Sequence, residues 1–246
     1  MGSHEMLTIQ GLGVSFDGFK AVDDLNFIVD RNELRVVIGP NGAGKTTLLD
    51  LICGKTKSTS GTIMFKTMDL TQMKEHAIVR AGVGRKFQTP SIYENLTVSE
   101  NLEVSFPRGR TAFGALFFRR TQDVTERVKS VAEEVLLSDK LDQQAALLSH
   151  GQKQWLEIGM LLMQDPELLM LDEPVAGMTV NEREQTAELL NRISKNRSVI
   201  VIEHDMEFVR KIAHKVTVLH QGKVIAEGSM DKVTADPRVI EVYLGH

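Results

Sequence analysis

The stretch Gly39-Pro40-Asn41-Gly42-Ala43-Gly44-Lys45-Thr46-Thr47 decides the fold of this chain. It matches the phosphate-binding loop pattern, in which a glycine and four further residues precede Gly-Lys-Ser/Thr. The mostly apolar run 34–38 before it is typical of a buried strand, and residues 46–52 after it are typical of a helix start. Glycine-rich backbone at a helix N-terminus can turn its N–H groups toward phosphate oxygens. The stretch therefore predicts a nucleoside triphosphate site, with Lys45 on the β- and γ-phosphates and the Thr46 hydroxyl on Mg²⁺.

The composition is that of an ordinary globular protein. Of 246 residues, 42% are hydrophobic and 25% are charged, and the formal net charge is −4. Because nucleic-acid binding usually needs a basic domain, we expect no nucleic-acid partner. No apolar run reaches the roughly 18 to 20 residues of a membrane-spanning helix, and no secretory signal is evident. The single cysteine, Cys53, suits a reducing compartment, so we expect a cytoplasmic protein.

The distribution of strand and helix patterns predicts an α/β fold of one domain over residues 6–246. Residues 7–38 alternate β-rich runs with turn signals, which indicates an N-terminal antiparallel β-subdomain. An α-helical subdomain is inserted at about 90–164, and the continuous apolar runs 168–171 and 198–202 are typical of parallel strands buried on both faces. The prediction is thus a P-loop ATPase core with a mainly parallel sheet and these two additions. Residues 1–5 resemble a cloning remnant, which would make Met6 the natural start.

Two carboxylates follow the apolar run 168–171. A strand buried on both faces would deliver Asp172 rigidly to the carboxyl edge of the sheet, where ligands of open α/β sheets bind. We expect Asp172 to hold Mg²⁺, directly or through water, and Glu173 to polarise the attacking water. An apolar run ending in Asp-Glu is often only a strand followed by a solvated turn, and the phosphate-binding loop in the same chain favours the functional interpretation.

Three further segments narrow the class of triphosphatase. Residues 148–152, Leu-Ser-His-Gly-Gln, precede a helical pattern, so Ser149 and nearby N–H groups would form a second anion-binding helix start. Gln88 lies between the core and the helical insertion, and His204 follows the buried run 198–202. Each segment alone has an ordinary structural explanation, such as a capped helix, a polar loop or a core histidine. Their occurrence together, in this order, is the informative observation.

The order of these segments resembles the nucleotide-binding domain of ATP-binding cassette (ABC) transporters. In that family two such domains pair head to tail, and each ATP lies between one phosphate loop and the partner's signature motif. The resemblance implies that Gln88 senses Mg²⁺ and the attacking water while linking to the membrane partner. It also implies that His204 contacts the γ-phosphate and organises the attacking water, so that Glu173, His204 and Gln88 are the expected catalytic residues. Residues 176–179 correspond to the D-loop, which crosses to the other subunit. The resemblance implies contacts to ATP from Gly39, Pro40, Asn41, Gly42, Ala43, Gly44, Lys45, Thr46 and Thr47 and, in trans, from Ser149, His150, Gly151 and Gln152.

The sequence departs from the family pattern in the signature and in the D-loop, and two phenylalanines are candidates for stacking on adenine. His150 replaces the first glycine of the usual Leu-Ser-Gly-Gly-Gln signature, and residues 176–179 lack the common Ser-Ala-Leu-Asp wording. Because Ser149 and Gly151 remain, we expect the signature to function. An aromatic residue before the phosphate loop stacks on adenine in the family. Phe16, which precedes an Asp-Gly turn, is the first candidate for this role, and Phe19 is the second.

The subfamily can also be predicted by resemblance. Residues 87–98 and 239–245 resemble the branched-chain amino acid importer group, whereas 148–160 and 172–179 resemble an ATP-binding subunit of urea importers most closely. We expect an ATPase that drives uptake of a small polar solute, urea first, with branched-chain amino acids as the alternative. A soluble ABC ATPase of DNA repair or translation is the weaker alternative, because neither long coiled coils nor a second cassette is present. A P-loop kinase or GTPase is a further alternative, and a GTPase would normally carry Asn-Lys-x-Asp, which is absent from the sequence.

The resemblance implies several partners and a location. They are a second ABC ATPase subunit, identical or different, integral membrane permeases and, indirectly, a solute-binding protein. The expected place is the cytoplasmic face of the inner membrane, held peripherally. The segment 106–120 combines phenylalanines with arginines. It either helps form the groove for a permease helix or is an ordinary amphipathic helix.

Overall fold

The structure is a computed structural model that describes residues 4–86, 92–107 and 121–244. The chain divides into two compact units. The first, here the core unit, takes its residues from Met1–Arg85, Glu167–Pro174 and Leu190–His246. The second, here the helical unit, takes its residues from Lys86–Pro166 and Val175–Leu189. The predicted insertion at about 90–164 and the predicted remnant at 1–5 stay predictions.

The core unit contains an antiparallel sheet in the order β2-β1-β4-β5. Its first two strands form a hairpin about Asp17 and Gly18, whose φ angles of 49° and 87° suit the tight Asp-Gly turns of such hairpins. The sequence suggests two short runs before this turn, and the structure has one strand there, because a register shift between Ile9 and Leu12 absorbs the irregular spacing. The strands are β1 Glu5–Phe16, β2 Phe19–Asp30, β4 Ser60–Phe65 and β5 Met68–Asp69.

A second sheet has the order β10-β9-β3-β8-β7-β6. Its strands β3, β7, β8 and β9 pair in parallel, and β9 and β10 form an antiparallel hairpin. Every residue of β3, β7 and β8 is buried, as their apolar runs predict. The strands are β3 Leu34–Ile38, β6 Val83–Lys86, β7 Leu168–Asp172, β8 Ser198–Ile202, β9 Lys215–His220 and β10 Lys223–Gly228.

Helices surround these sheets, and one apolar core joins both sheets of the core unit. The first helix, α1, supplies Leu48, Leu49 and Ile52 to that core, which also takes side chains from both sheets. The helices with residues in this unit are α1 Lys45–Ile52, α2 Glu75–Arg80, α6 Val180–Ile193, α7 Met206–Ile212, α8 Met230–Thr234 and α9 Pro237–Leu244.

The helical unit packs its helices around α5, His150–Leu162. Gly159 permits the close approach, because a Cβ there would lie 3.0 Å from Leu102 and 3.2 Å from Val135. The valine stripe of α4 faces inward, as its helical spacing predicts. The remaining elements are α3 Val98–Val104, α4 Gln122–Glu134, the 3₁₀ turns Ser138–Lys140 and Ala145–Leu147, and the first part of α6. The predicted fold, a P-loop sheet with an antiparallel β-subdomain and a helical addition, is confirmed.

Candidate functional site

The phosphate-binding loop follows the fully buried strand β3 and ends where α1 begins at Lys45. Two of its positions accept only glycine. Gly39 has φ 153°, and a Cβ there would lie 2.2 Å from the Leu219 carbonyl oxygen. Gly44 has φ 99°, and a Cβ there would lie 2.5 Å from the Ala21 carbonyl oxygen. The backbone can therefore fold tightly beneath a phosphate group, with the N-terminus of α1 directed at it.

The ammonium group of Lys45 lies across this loop. Its Nζ donates to the carbonyl oxygens of Gly39 at 2.6 Å and Pro40 at 3.0 Å. Burial lowers the pKa of Lys45, while the negative charges of Glu173 and Asp172 oppose that shift. A partly desolvated cation with two replaceable carbonyl partners suits transfer to phosphate oxygens.

Asp172, the last residue of β7, lies beside Thr46 at the start of α1. It is 2% exposed, and its Oδ2 accepts a hydrogen bond from the Thr46 hydroxyl at 3.2 Å. Within the described ranges, its buried Oδ1 finds no hydrogen-bond partner. Burial raises the pKa of Asp172. A hydroxyl beside a carboxylate with an unpaired oxygen fits a hard divalent cation such as Mg²⁺, which takes one or two protein ligands and completes its shell with water and phosphate.

Glu173 and His204 follow the ends of neighbouring parallel strands. Asp172 of β7 is paired with Ile202 of β8, so the residues just beyond both strands meet at one edge of the sheet. The Glu173 Oε1 atom lies 3.4 Å from His204 Nδ1, and both side chains reach solvent. Glu173 has a φ of 48°, and its N–H donates to the Ile202 carbonyl oxygen at 3.0 Å. The sheet thus brings together the predicted base and the predicted histidine, which sequence separates by thirty residues.

Both candidate stacking residues lie at the first hairpin of the core unit. Phe16 and Phe19 are paired across the Asp-Gly turn and are 47% and 64% exposed. Exposed aromatic rings offer a flat apolar surface on which a flat ligand can stack. The preference for Phe16 over Phe19 stays a prediction.

The signature residues begin helix α5 in the helical unit. Ser149 is the N-cap: its Oγ accepts from the Gln152 N–H at 3.2 Å, and the Gln152 side chain accepts from the Ser149 N–H at 3.0 Å. This reciprocal capping box leaves the first turn well ordered. His150, which replaces the usual glycine, brings its Nε2 to 3.0 Å from the Ala176 carbonyl oxygen, so it ties the signature to the predicted D-loop.

Glu182 also contacts the signature, which the sequence alone does not predict. Its Oε1 accepts from the Ser149 hydroxyl at 2.8 Å, and its Oε2 accepts from the N–H and hydroxyl of Thr179, each at 2.9 Å. The Thr179 N–H, the Ser149 hydroxyl and, to a smaller extent, the Gly151 N–H hold the pKa of Glu182 below its ordinary value. The spacing Thr179-x-x-Glu182 is a capping-box signal that could have located this residue, though not its contact with Ser149.

Tyr243 contacts the phosphate loop through a backbone hydrogen bond. Burial raises the pKa of Tyr243, on the C-terminal helix α9, while a hydrogen bond from the Gly39 backbone N–H opposes that shift. Gln88 lies outside the described residues, as does most of the segment 106–120. In the phosphate loop, Asn41, Gly42 and Thr46 are exposed, Pro40 and Thr47 are half-buried, and Ala43 is buried.

Comparisons with known proteins agree with this geometry. The family described as "ABC transporter" matches residues 22–176, and the family described as "Branched-chain amino acid ATP-binding cassette transporter" matches residues 223–246. The chain therefore belongs to the ABC transporter family. It is an ATP-hydrolysing subunit of that family.

Curated relatives and solved structures cover the whole length of the chain. The high-affinity branched-chain amino acid transport ATP-binding protein LivG of Escherichia coli K12 is 35% identical, and BraF of Pseudomonas aeruginosa, described in the same words, is 34% identical. In both comparisons 99% of each chain is covered. The ADP conformation of MJ1267, an ATP-binding cassette of an ABC transporter, superposes with a TM-score of 0.87 at 31% identity, covering 99% of this chain and 100% of that one. A nucleotide-free ATP-binding cassette gives a TM-score of 0.84 at 30% identity, covering 98% and 100%.

Proposed function

We propose that the chain binds ATP on the loop 39–47 and hydrolyses it with Glu173 polarising the attacking water. The observation that carries this proposal is the meeting of Glu173 and His204, 3.4 Å apart, at the sheet edge formed by β7 and β8. The partly exposed carboxylate of Glu173 can accept a proton from a water molecule. The imidazole of His204 can orient that water or contact the γ-phosphate. Lys45 moves from its two loop carbonyls to the β- and γ-phosphate oxygens.

The residues of the site fit Mg²⁺ as the companion of ATP. Thr46 and Asp172 would hold it, because one offers a hydroxyl and the other a buried carboxylate oxygen without a partner in the described chain. When bound, Mg²⁺ neutralises charge on the phosphate oxygens. Gln88 is the further residue that the resemblance assigns to this ion and to the attacking water.

The working unit that we propose is a head-to-tail pair of ATPase subunits. ABC ATPases dimerise and work with membrane permease subunits. The γ-phosphate of ATP held by the other subunit would contact the signature residues Ser149, His150, Gly151 and Gln152. These residues present a hydroxyl and N–H groups at a helix start. ATP binding would close the pair, and hydrolysis would open it.

No helix in the described ranges is long and apolar enough to cross a bilayer. We propose that permease subunits carry the solute, that a solute-binding protein delivers it, and that this chain docks peripherally on the cytoplasmic face of the inner membrane. The segment 106–120 and the residues around Gln88 are the proposed docking region on grounds of family resemblance.

The solute that the relatives favour is a branched-chain amino acid. LivG and BraF are both described as branched-chain amino acid transport proteins, and residues 223–246 match a family of the same description. This alternative fits the comparisons better than urea, the solute expected first from the sequence. Urea stays a second candidate solely because the sequences of residues 148–160 and 172–179 resemble those of urea importers.

One reconstitution tests both levels of the proposal. The chain is assembled with its permeases in vesicles, with solute-binding protein, and uptake of leucine and urea is measured with ATP. We expect ATP-dependent leucine uptake that Glu173→Gln abolishes. Uptake of urea alone would transfer the assignment to the second candidate, and uptake of neither solute, with intact ATPase activity, would contradict both.

A further inference from the structure

Glu182 already accepts the hydrogen bond that the Ser149 hydroxyl of the signature would offer to a phosphate. The Ser149 hydroxyl donates to Glu182 Oε1 at 2.8 Å and at the same time accepts from the Gln152 N–H at 3.2 Å. The Glu182 carboxyl group also lies directly over Gly151. A Cβ added to Gly151 would lie 2.5 Å from both the carboxyl carbon and the Oε1 of Glu182. An anionic side chain therefore covers the surface that would face a phosphate.

The chemistry of the hydroxyl makes this occupation exclusive. A serine hydroxyl has one proton to donate, and here that proton is directed at Glu182. Phosphate oxygens only accept hydrogen bonds, so Ser149 can donate to a phosphate only after it has released Glu182. The carboxylate and the γ-phosphate are both anions, so leaving the carboxylate in place would also add repulsion at short range.

Glu182 has another set of partners that would keep it ordered after it releases Ser149. Its Oε2 accepts from the N–H and the hydroxyl of Thr179, each at 2.9 Å, and the Glu182 N–H donates to the Thr179 hydroxyl at 3.3 Å. These bonds form the capping box of helix α6 and do not involve the signature. The contacts that have to break are the bond from Oε1 to the Ser149 hydroxyl and the weaker one from the Gly151 N–H.

We infer that Glu182 is a positioning residue of the hydrolysis cycle, which holds the Ser149 hydroxyl in the separated subunit and has to release it before the ATP of the partner subunit can bind there. The inference rests on the proposed head-to-tail pairing. In a lone subunit, Glu182 gives the Ser149 hydroxyl a hydrogen-bond acceptor in place of the phosphate. Closure of the pair is then weaker than the phosphate contacts alone would make it.

The test compares ATP-driven pairing in variants that cannot turn ATP over. In a Glu173→Gln background, the dimer dissociation constant is measured with Mg-ATP by analytical ultracentrifugation. Adding Glu182→Gln keeps the capping box, because glutamine serves at that position, but removes the charge and weakens the hold on Ser149. Adding Glu188→Gln, an exposed carboxylate on the same helix, is the matched control.

We expect Glu182→Gln to tighten each of the two signature sites about fivefold, the difference between a charge-assisted and a neutral hydrogen bond. A pair with two such sites should therefore tighten about 25-fold, and Glu188→Gln should leave the pairing unchanged. In the otherwise unaltered protein, the ATP concentration for half-maximal hydrolysis should fall with kcat unchanged. A merely structural role would not produce this separation of KM from kcat. If Glu182→Gln lowers the melting temperature, Glu182→Asp is used as the test variant in its place. The shorter aspartate side chain cannot contact both Thr179 and Ser149.

The outcomes separate this inference from the function on which it rests. If Glu173→Gln alone binds ATP but does not pair, the head-to-tail arrangement fails and the inference fails with it. If Glu173→Gln pairs and the Glu182 variants pair equally well or more weakly, the proposed function stands and the inference is overturned. Tighter pairing confined to the Glu182 variants supports it.

Discussion

Asp172→Asn should make the nucleotide-free protein more stable while removing its response to Mg-ATP. The carboxylate is 2% exposed, and one of its oxygens has no hydrogen-bond partner in the part of the chain that the structure describes. Its pKa is raised chiefly by burial, so the fold favours the neutral form. Asparagine has nearly the same shape and is neutral at every pH. If Asp172 holds Mg²⁺ as proposed, ligand binding at this position opposes stability.

The size of the effect follows from the unpaired oxygen. A buried polar group without a partner costs about 1–3 kcal/mol, and more when it is charged. The side-chain amide of asparagine would leave its own N–H group unpaired at the same place, and this offsets part of the increase in the free energy of unfolding. We expect a net stabilisation of about 1 kcal/mol, which corresponds to a rise in melting temperature of about 2–4 °C for a chain of this size.

The pH dependence has a definite sign. Because the folded-state pKa of Asp172 lies above its unfolded value, ionisation destabilises the fold as pH rises through those two values. Below both values the carboxyl group is neutral in either state. The advantage of Asp172→Asn should therefore grow as the pH rises toward the folded-state pKa, and it should vanish as the pH falls below the ordinary aspartate value of about 3.9.

Thermal unfolding of the purified subunit, with and without Mg-ATP, measures both effects. At a ligand concentration about a hundred times its dissociation constant, the parent protein gains about 2.7 kcal/mol, so Mg-ATP should reverse the order of the two melting temperatures. The exposed carboxylate of Asp142 provides the control, and Asp142→Asn should change neither value. A nucleotide-free Asp172→Asn protein that melts below the parent at pH 7, or that keeps the full Mg²⁺-dependent gain, would refute the reasoning.

The other predictions concern the base, the aromatic residues and the loop. Glu173→Gln should bind ATP normally but lose about 10²–10⁴-fold in hydrolysis, because an amide cannot accept the proton of water; parental turnover would remove Glu173 from this role. Phe16→Ala should weaken ATP binding by about 1 kcal/mol in calorimetry, and an effect seen only with Phe19→Ala would move the stacking role there. Gly39→Ala should cost about 1–3 kcal/mol of stability in denaturant titration, because its Cβ would lie 2.2 Å from a carbonyl oxygen. Gly18→Ala, at φ 87° but with nothing within 4 Å, should cost less, and an equal cost would contradict the clash.

Much of the candidate site was predictable because its parts are short segments with local geometry. The glycines of the loop, the lysine that follows and the start of α1 act within nine consecutive residues, so spacing alone identifies them. An apolar run that ends in Asp172 and Glu173 indicates a buried strand with carboxylates at its end, and the structure has that strand. Spacing could not choose between Phe16 and Phe19, since both lie at the same turn with exposed rings.

Contacts between distant elements were decided only by the tertiary structure. The sequence by itself determined which residues end β7 and β8, but strand order made those ends neighbours and set Glu173 3.4 Å from His204. The chain likewise shows that Thr179 and Glu182 can cap a helix, whereas only the packing of α6 beside α5 directs the carboxylate to Ser149. The physical reason is that capping and strand burial depend on residues a few positions apart. Which donor meets which acceptor across two elements depends on how those elements pack.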